Sequence, residues 1–174
     1  MKKKVAINGF GRIGRLVYRA FLERSNEFSD QYEIAYINDL ADIDTNIHLL
    51  KYDSIHGPLS KEINKISNEK FSIDENKVTV TSERNPIDLN WSDKNVDIIL
   101  ECTGVFASKD KAMSHVESGA SKVIVSAPCS GADITVVQGV NNKNINLDHQ
   151  VISNASCTTN CLAPVAFVCL LYTS

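Results

Sequence analysis

The chain has 174 residues, of which 43% are hydrophobic and 22% charged, a composition that is typical of a globular protein and excludes disordered and fibrous classes. The net charge is −3 and the 18 lysines and arginines are scattered, so the sequence predicts no nucleic-acid partner. No run approaches the ~20 apolar residues that span a bilayer, and the first residues are too polar for a signal peptide, so we predict a cytoplasmic protein with no membrane partner.

The first 38 residues have the pattern of one strand–helix–strand unit. An apolar run over 4–8 stops at a glycine, and apolar residues then recur at helical spacing from Ile13 to Phe21. Residues 25–31 are polar and predict a loop, and residues 33–38 predict a second strand. Such a crossover is right-handed and its two strands are parallel.

The rest of the chain alternates between short strands and helices. Helical spacing covers 45–52 and 107–119, and 53–58 predicts a turn. The predicted strands cover 61–66, 71–74, 77–82, 96–102, 123–126, 135–137 and 151–153. This order predicts an α/β fold with a Rossmann-type doubly wound, mostly parallel sheet.

The five cysteines argue against both a disulfide framework and a zinc site. Their number is odd, and no two of them form a Cys-x-x-Cys pair. Unpaired thiols suit a reducing compartment. We therefore predict no bound metal.

A glycine-rich turn between the first strand and the first helix predicts a nucleotide site. Gly9 permits a tight turn, Gly11 lets the backbone approach a pyrophosphate, and Gly14 allows close packing of helix on strand. The free N–H groups and positive end of the helix would face the phosphates. Glycines also cluster at turns for purely structural reasons, so the G-x-G-x-x-G motif alone is weak.

The context of the motif favours NAD. The second predicted strand ends in Asn38 and Asp39. An acid there accepts hydrogen bonds from the adenosine ribose and disfavours a 2′-phosphate. The alternative is that Asp39 merely caps the next helix. Two more predicted strand ends, at 103–104 and 126–128, should lie along the same edge of the sheet, although ordinary turn chemistry would also explain their residues.

Residues 154–161, Asn-Ala-Ser-Cys-Thr-Thr-Asn-Cys, contain the candidate nucleophile. Small polar residues follow a strand and precede an apolar stretch that can form a helix, so Cys157 would lie near a helix N-terminus, where a thiolate is favoured. Neighbouring hydroxyls and amides suit an oxyanion or a phosphate, and such a cysteine can attack a carbonyl. The alternative for Cys157 is a buried small residue. We expect Cys102, Cys161 and Cys169 to be buried.

No histidine is a clear catalytic base from its position in the sequence. Two histidines lie in the irregular middle of the chain, one in a predicted helix and one in a polar loop. Each is interpreted as a surface or capping residue. The four are His48, His56, His115 and His149.

The chain resembles the phosphorylating glyceraldehyde-3-phosphate dehydrogenases over residues 1–166. The most specific of the matching segments is the last, which contains Cys157. The segments cover 6–15, 37–40, 50–54, 101–106, 126–128, 139–141 and 153–164. The resemblance implies an NAD-binding domain over 1–154 and the beginning of a catalytic domain over 155–174.

The resemblance implies a homotetramer that oxidises and phosphorylates glyceraldehyde 3-phosphate to 1,3-bisphosphoglycerate through a thioester on Cys157. NAD, the substrate aldehyde and inorganic phosphate are its implied ligands. The family's motifs, carried over to the matching residues, imply that the pyrophosphate lies on Gly9, Phe10, Gly11, Arg12 and Ile13 and the adenosine on Asn38, Asp39 and Arg84. They imply that the rest of the cofactor lies along Thr103, Gly104 and Ser126. They also imply that the substrate or the attacking phosphate lies on Ser156 and Thr158.

The chain departs from this family in some positions, and the resemblance leaves two alternatives open. Ile55 and Pro58 stand where the family more often has threonine and a polar or basic residue. The apolar residues 167–174 lack the family's lysine and polar amphipathic helix, which indicates a non-native end. The family's histidine base lies about two dozen residues after its nucleophile, past residue 174, so we expect residues 1–174 alone to be inactive. An erythrose-4-phosphate dehydrogenase and an NAD-binding module without turnover are the alternatives.

Overall fold

The structure is a computed structural model that describes residues 2–173. Its strands are β1 (Lys3–Asn8), β2 (Tyr32–Asn38), β3 (Tyr52–Asp53), β4 (Gly57–Pro58), β5 (Ile63–Ser67), β6 (Lys70–Ile73), β7 (Asn76–Thr81), β8 (Ile98–Glu101), β9 (Lys122–Val125), β10 (Ile134–Thr135) and β11 (Val151–Ser153). Its helices are α1 (Arg12–Glu23), α2 (Ser25–Phe28), α3 (Ile43–Lys51), α4 (Trp91–Lys94), α5 (Lys109–Glu117) and α6 (Cys157–Thr173), with 3₁₀ turns at Pro86–Leu89 and Asn142–Asn144.

Nine of the strands form one twisted sheet in the order β10-β11-β9-β8-β1-β2-β7-β6-β5. Every pair from β10 to β7 is parallel, and β6 and β5 continue the sheet as antiparallel strands. The chain moves outward from β1 in one direction through β2 and in the other through β8. The predicted doubly wound, mostly parallel sheet is confirmed, and its switch point lies between β1 and β8, where such sheets bind ligands.

Successive residues of β1 point to opposite faces of the sheet, and each face carries its own core. Ile7 lies in the core under α1 and α3, with Tyr18, Leu22 and Leu50. Ala6 lies in the core under α4 and α5, with the indole of Trp91. The central strands are mostly apolar because both faces of the sheet are covered there.

The region 86–94 contains a 3₁₀ turn and α4, which the periodicity of the sequence does not reveal. Both elements end at an asparagine in the left-handed conformation, Asn90 with φ of 47° and Asn95 with φ of 53°. Asparagine tolerates this region better than other non-glycine residues. Residues 25–31, predicted as a loop, likewise contain the single-turn helix α2. Elements this short have too few residues to express a period.

After its polar first turn, helix α6 is apolar on all sides and largely uncovered. Cys161 and Cys169, predicted to be buried, are both exposed, and Leu162 and Leu170 are each more than half exposed. Those two predictions are wrong because an apolar helix buries a side chain only where another element packs on it. Over residues 2–173, the structure contains no helix that could span a membrane.

The carboxylate of Asp133 ties the edge of the sheet around β10 and β11 together. It accepts hydrogen bonds from Nζ of Lys109 and, at 2.8 Å each, from the backbone N–H groups of Gln150 and Val151. The Lys109 ammonium, followed by these N–H groups, lowers the pKa of Asp133 to about 2. Because the folded-state pKa lies below the ordinary value, the charged form stabilises the fold above about pH 4, and this contribution is lost as the pH falls toward 2.

Replacing Asp133 by asparagine is expected to lower the free energy of unfolding near neutral pH by about 1–2 kcal/mol, because all three hydrogen bonds lose a charged acceptor and the new amide nitrogen cannot accept at all. Urea unfolding between about pH 3 and 7 should show a weaker dependence of stability on pH than in the unaltered chain. Asp30→Asn, which alters an exposed carboxylate, is the matched control. Equal pH dependence in the two variants would contradict the assigned role of Asp133.

Candidate functional site

The turn between β1 and α1 is shaped by its glycines. Gly9 has a φ of 88°, and a Cβ built on it would lie 2.7 Å from the backbone nitrogen of Thr103. A Cβ on Gly14 would lie 2.2 Å from the carbonyl oxygen of Gly9. A Cβ on Gly11 would meet nothing within 4 Å. Gly9 and Gly14 are therefore required by the protein's own packing, whereas the space beside Gly11 is open to a ligand at the N-terminus of α1.

Asp39 supports this turn from the end of β2. Its Oδ2 accepts a hydrogen bond of 2.7 Å from the N–H of Phe10, and its Oδ1 accepts one of 2.9 Å from the N–H of Ala41. The helix that follows is capped by the side chain of Asp42, not by Asp39. The alternative that Asp39 merely caps the next helix is therefore wrong.

An open cleft of about 340 Å³ lies at this edge of the sheet. Its lining brings together five of the predicted cofactor residues from four separate chain segments. The lining residues are Asn8, Gly9, Asn38, Asp39, Leu40, Glu83, Arg84, Thr103, Val105 and Phe106. The first turn of α1 carries Arg12 and Ile13 beside the glycine loop, both exposed.

Asn38 is buried and its hydrogen-bonding groups are engaged by the protein. Its Nδ2 donates to Oδ1 of Asn8 at 2.7 Å and to the carbonyl of Glu83 at 2.8 Å. Its Oδ1 accepts from the hydroxyl of Thr81 and from the N–H of Glu83. The amide therefore fastens the segment that carries Arg84 to the end of β2, and the wall of the cleft depends on it.

Ser126 and Gly104 lie on the turns that follow β9 and β8. The N–H of Ser126 donates to the carbonyl of Glu101 at 2.9 Å, and Gly104 has a φ of 75°. Both residues are thus at the carboxyl edge, but neither lines the cleft described above. Over residues 2–173, no group of three His, Cys, Asp or Glu side chains is arranged to hold a metal ion.

Cys157 is the first residue of α6 and is exposed. The preceding Ser156 caps the helix, because its Oγ accepts a hydrogen bond of 3.0 Å from the N–H of Thr159. Oγ of Ser156 also lies 2.9 Å from the hydroxyl oxygen of Thr158. Ala155 has a φ of 57°, which turns the chain sharply between β11 and the helix. The thiol is therefore held at a helix N-terminus among hydroxyl groups, where negative charge is stabilised.

The other cysteines that lie at the sheet are chemically distinct from Cys157. Burial raises the pKa of Cys102 to about 11, although a hydrogen bond with Ser126 partly offsets this effect. Burial also raises the pKa of Cys129. Because the thiolate is the nucleophilic form, both cysteines are poor nucleophiles at neutral pH.

The cleft and Cys157 share one edge of the sheet. Asp39 follows β2 and Cys157 follows β11, and these strands are separated by four inter-strand spacings of about 4.8 Å each. All strands between them are parallel, so their carboxyl ends point the same way. A dinucleotide extended along this edge from Asp39 would point its other end toward the thiol.

A buried polar network under the cleft was not anticipated. His115, predicted to be a surface or capping residue, is fully buried, and its ring lies between the carboxylate of Glu101 and the indole of Trp91. The prediction for His115 is wrong because a buried histidine is tolerated once both ring nitrogens have partners. The sequence signal for the burial of His115 is its spacing of three residues from Ala112, which places both residues on the face of α5 that packs against the sheet.

Comparison with known proteins gives the family. Residues 3–109 match the model described as "Glyceraldehyde 3-phosphate dehydrogenase, NAD binding domain". The glyceraldehyde-3-phosphate dehydrogenase of Xanthobacter flavus is 51% identical over 168 residues, which cover 97% of this chain and 49% of the relative. That of Mycoplasma pneumoniae is 51% identical, covering 95% and 48% of the two chains, and that of Geobacillus stearothermophilus is 48% identical, covering 97% and 49%.

The chain spans about half the length of the curated relatives that it matches. The matched model is that of an NAD-binding domain, and the open space at Gly11 beside the N-terminus of α1 fits a dinucleotide phosphate. NAD is therefore the cofactor of this domain. The chain belongs to the glyceraldehyde 3-phosphate dehydrogenase family.

Proposed function

We propose that the chain provides the NAD-binding domain, over residues 1–154, and the nucleophile of an enzyme that oxidises and phosphorylates glyceraldehyde 3-phosphate. The observation that carries this proposal is the location of Cys157: it is an exposed thiol at the N-terminus of α6, on the same sheet edge as the cofactor cleft. The names of the relatives support the substrate, since they favour glyceraldehyde 3-phosphate over erythrose 4-phosphate. The assembled protein is proposed to be a cytoplasmic homotetramer.

The proposed cofactor contacts begin in the cleft and continue along the same edge of the sheet. The pyrophosphate lies on the turn from Gly9 to Ile13, where open space meets the positive end of α1. The adenosine lies beside Asp39 and Arg84. Both carboxylate oxygens of Asp39 already accept a backbone N–H, and an oxygen has a second lone pair for a ribose hydroxyl. The remainder of the cofactor follows Thr103, Gly104 and Ser126.

Cys157 performs the covalent steps. Its thiolate adds to the aldehyde carbon and gives the alkoxide of a thiohemiacetal, which loses a hydride from that carbon and becomes a thioester. Bound NAD supplies the acceptor for that hydride. Inorganic phosphate then attacks the acyl carbon, the carbon–sulfur bond breaks, and the thiolate and an acyl phosphate, 1,3-bisphosphoglycerate, are released.

Ser156 and Thr158 flank the thiol and are proposed to contact the substrate or the attacking phosphate. Their hydroxyl oxygens are 2.9 Å apart and lie at the helix N-terminus, where phosphate is stabilised by the N–H groups and by the helix dipole. The same positive end stabilises the oxyanion that forms when the thiolate adds to the carbonyl. These hydroxyls position the ligands and do not enter the covalent steps.

Two measurements on the unaltered chain test this proposal. Calorimetric titration should show binding of NAD, with NADP weaker by about tenfold or more, because the carboxylate of Asp39 repels a 2′-phosphate. Incubation with 1,3-bisphosphoglycerate should acylate Cys157, with loss of inorganic phosphate, and peptide mass spectrometry locates the acyl group. An equal distribution of acyl groups over Cys157, Cys161 and Cys169 would contradict the assignment of the nucleophile.

The second candidate function is an NAD-binding unit without turnover of its own. The observation that favours it is that the matched family model, over residues 3–109, is that of an NAD-binding domain. With NAD, glyceraldehyde 3-phosphate and phosphate, we expect residues 1–174 to give no sustained production of NADH. Continued NADH production at a constant rate would exclude this second candidate.

A further inference from the structure

The carboxylate of Glu101 is completely buried at the end of β8 and accepts hydrogen bonds from four donor groups. Oε1 accepts from the backbone N–H of Thr103 at 2.8 Å and from the hydroxyl of the same residue. Oε2 accepts from Nδ2 of Asn8 at 2.6 Å and faces Nε2 of His115 at 3.1 Å. Two oxygens with two lone pairs each match four donors, and only a carboxylate offers this set.

The indole of Trp91 fixes which nitrogen of His115 carries the proton. Nε1–H of Trp91 can only donate, and it lies 3.1 Å from Nδ1 of the imidazole. Nδ1 must therefore be the acceptor, so the neutral ring carries its hydrogen on Nε2. That N–H points at Glu101, next to the amide of Asn8.

Glu101 connects two walls of the cofactor cleft. On one side it holds the turn at Thr103, against which Gly9 is packed so closely that a Cβ there would clash. On the other side it holds the amide of Asn8, whose Oδ1 accepts from Asn38. Asn38 in turn fastens the segment at Glu83. The ends of β8, β1 and β2 are thus joined through one carboxylate.

We propose that Glu101 is a positioning residue for the cofactor, and that His115 keeps it in place by donating from Nε2. This inference rests on the proposed function, because its readout is the affinity for NAD. Neither side chain lines the cleft, so both act through Thr103 and Asn8. Because the turn is already ordered, the entropic cost of ordering it when NAD binds is reduced.

Glu101→Gln is the first test. If the new amide nitrogen lies beside Thr103, the backbone N–H of Thr103 faces another donor. If the amide nitrogen lies on the other side, the donors of Asn8 and His115 face it instead. The expected result is a dissociation constant for NAD raised by about tenfold or more, because in either orientation an unsatisfied donor now lies in the network that holds the walls of the cleft. Ile99→Val is the matched control, since it trims a buried side chain on the same face of β8 and should lower the melting temperature with the NAD affinity kept within about twofold.

His115 supplies a second pair of variants in case Glu101→Gln does not fold. Glutamine at this position retains a donor for Glu101, whereas methionine has the same length and no donor. Both lose the imidazole and with it the Nδ1 that accepts from Trp91, whereas only glutamine can still donate to Glu101, so the comparison between them reports on the donated hydrogen bond. We expect His115→Met to bind NAD about fivefold or more weakly than His115→Gln.

Circular dichroism establishes that each variant is folded, and calorimetry then gives its dissociation constant for NAD. Equal affinities for His115→Gln and His115→Met, or a folded Glu101→Gln variant that binds NAD as the unaltered chain does, would overturn the positioning role. Failure of the unaltered chain to bind NAD would instead refute the proposed function. A lower melting temperature with unchanged affinity would assign the network to stability alone and also overturn the inference.

Discussion

Replacing Gly14 by alanine is expected to remove both the stability of the domain and its affinity for NAD. The new Cβ would lie 2.2 Å from the carbonyl oxygen of Gly9 and 3.1 Å from Cγ2 of Ile7, which is fully buried. Backbone cannot move aside as a flexible side chain can, so α1 must shift away from β1. The expected cost is about 3 kcal/mol or more in the free energy of unfolding. Thermal unfolding followed by circular dichroism measures it.

Gly11→Ala is the matched control for this prediction. A Cβ at Gly11 has open space around it and the residue has a negative φ of −68°, so the loss of stability should stay below about 1 kcal/mol. The same methyl group would occupy the space proposed for the pyrophosphate. The NAD dissociation constant should therefore rise by about tenfold or more.

The two glycines thus separate packing from ligand binding within one motif. Gly14→Ala is predicted to lose both stability and affinity for NAD, whereas Gly11→Ala is predicted to lose only affinity for NAD. A Gly11→Ala variant that binds NAD as tightly as the unaltered chain would show that the dinucleotide does not pass over this loop. A Gly14→Ala variant of unchanged stability would contradict the helix–strand contact from which the clash is inferred.

The framework of the sheet could be predicted from the sequence because its central strands are buried on both faces. The mostly apolar segments at 4–8 and 96–102 have few alternatives to a parallel strand, and the glycine loop fixes the crossover between the first two strands. The convergence of Thr103 with Asp39 and Arg84 in one cleft then follows, since parallel strands end at a common edge.

The network under the cleft could not be predicted because its partners are far apart in the sequence. Asn8 and Glu101 are separated by 93 residues, and Trp91 and His115 by 24. Each of these residues, taken alone, reads as an ordinary polar or aromatic residue. Only the register of β1 beside β8, with α5 packed above them, brings their polar atoms within hydrogen-bonding distance.

The environment of α6 could not be predicted for a different physical reason. Burial is inferred from a period in the apolar residues, and a helix that is apolar on every side has no preferred face. Cys161 and Cys169 were therefore expected to be buried by residue type alone, and both are exposed. The place of Cys157 near the start of the helix did follow from the sequence, because small polar residues separate a predicted strand from the apolar stretch that forms the helix.

Replacing Cys157 by serine is expected to reduce acylation by 1,3-bisphosphoglycerate by about three orders of magnitude or more. A serine hydroxyl stays protonated at neutral pH and needs an adjacent base to become a nucleophile. The immediate neighbours of position 157, Ser156 and Thr158, offer hydroxyl groups but no base. Stopped reactions followed by intact-protein mass spectrometry give the rate.

The fold and the cofactor site should be unaffected by this change. Cys157 is exposed, and serine at the first position of a helix retains the geometry there, so the free energy of unfolding should change by no more than about 0.5 kcal/mol. The NAD dissociation constant should stay within about twofold, since the thiol is not part of the cleft that holds the adenosine. Loss of acylation would then reflect chemistry and not a loss of structure.

Cys161→Ser is the matched control, because that thiol is exposed on the same helix one turn further from its N-terminus. The favourable field of the helix falls off within the first turn, so the second thiol lacks the stabilisation that the first receives. Acylation of the Cys161→Ser variant should therefore equal that of the unaltered chain. An equal loss in both variants would mean that exposure alone governs the reaction, and the location of Cys157 at the start of the helix would then explain nothing about its chemistry.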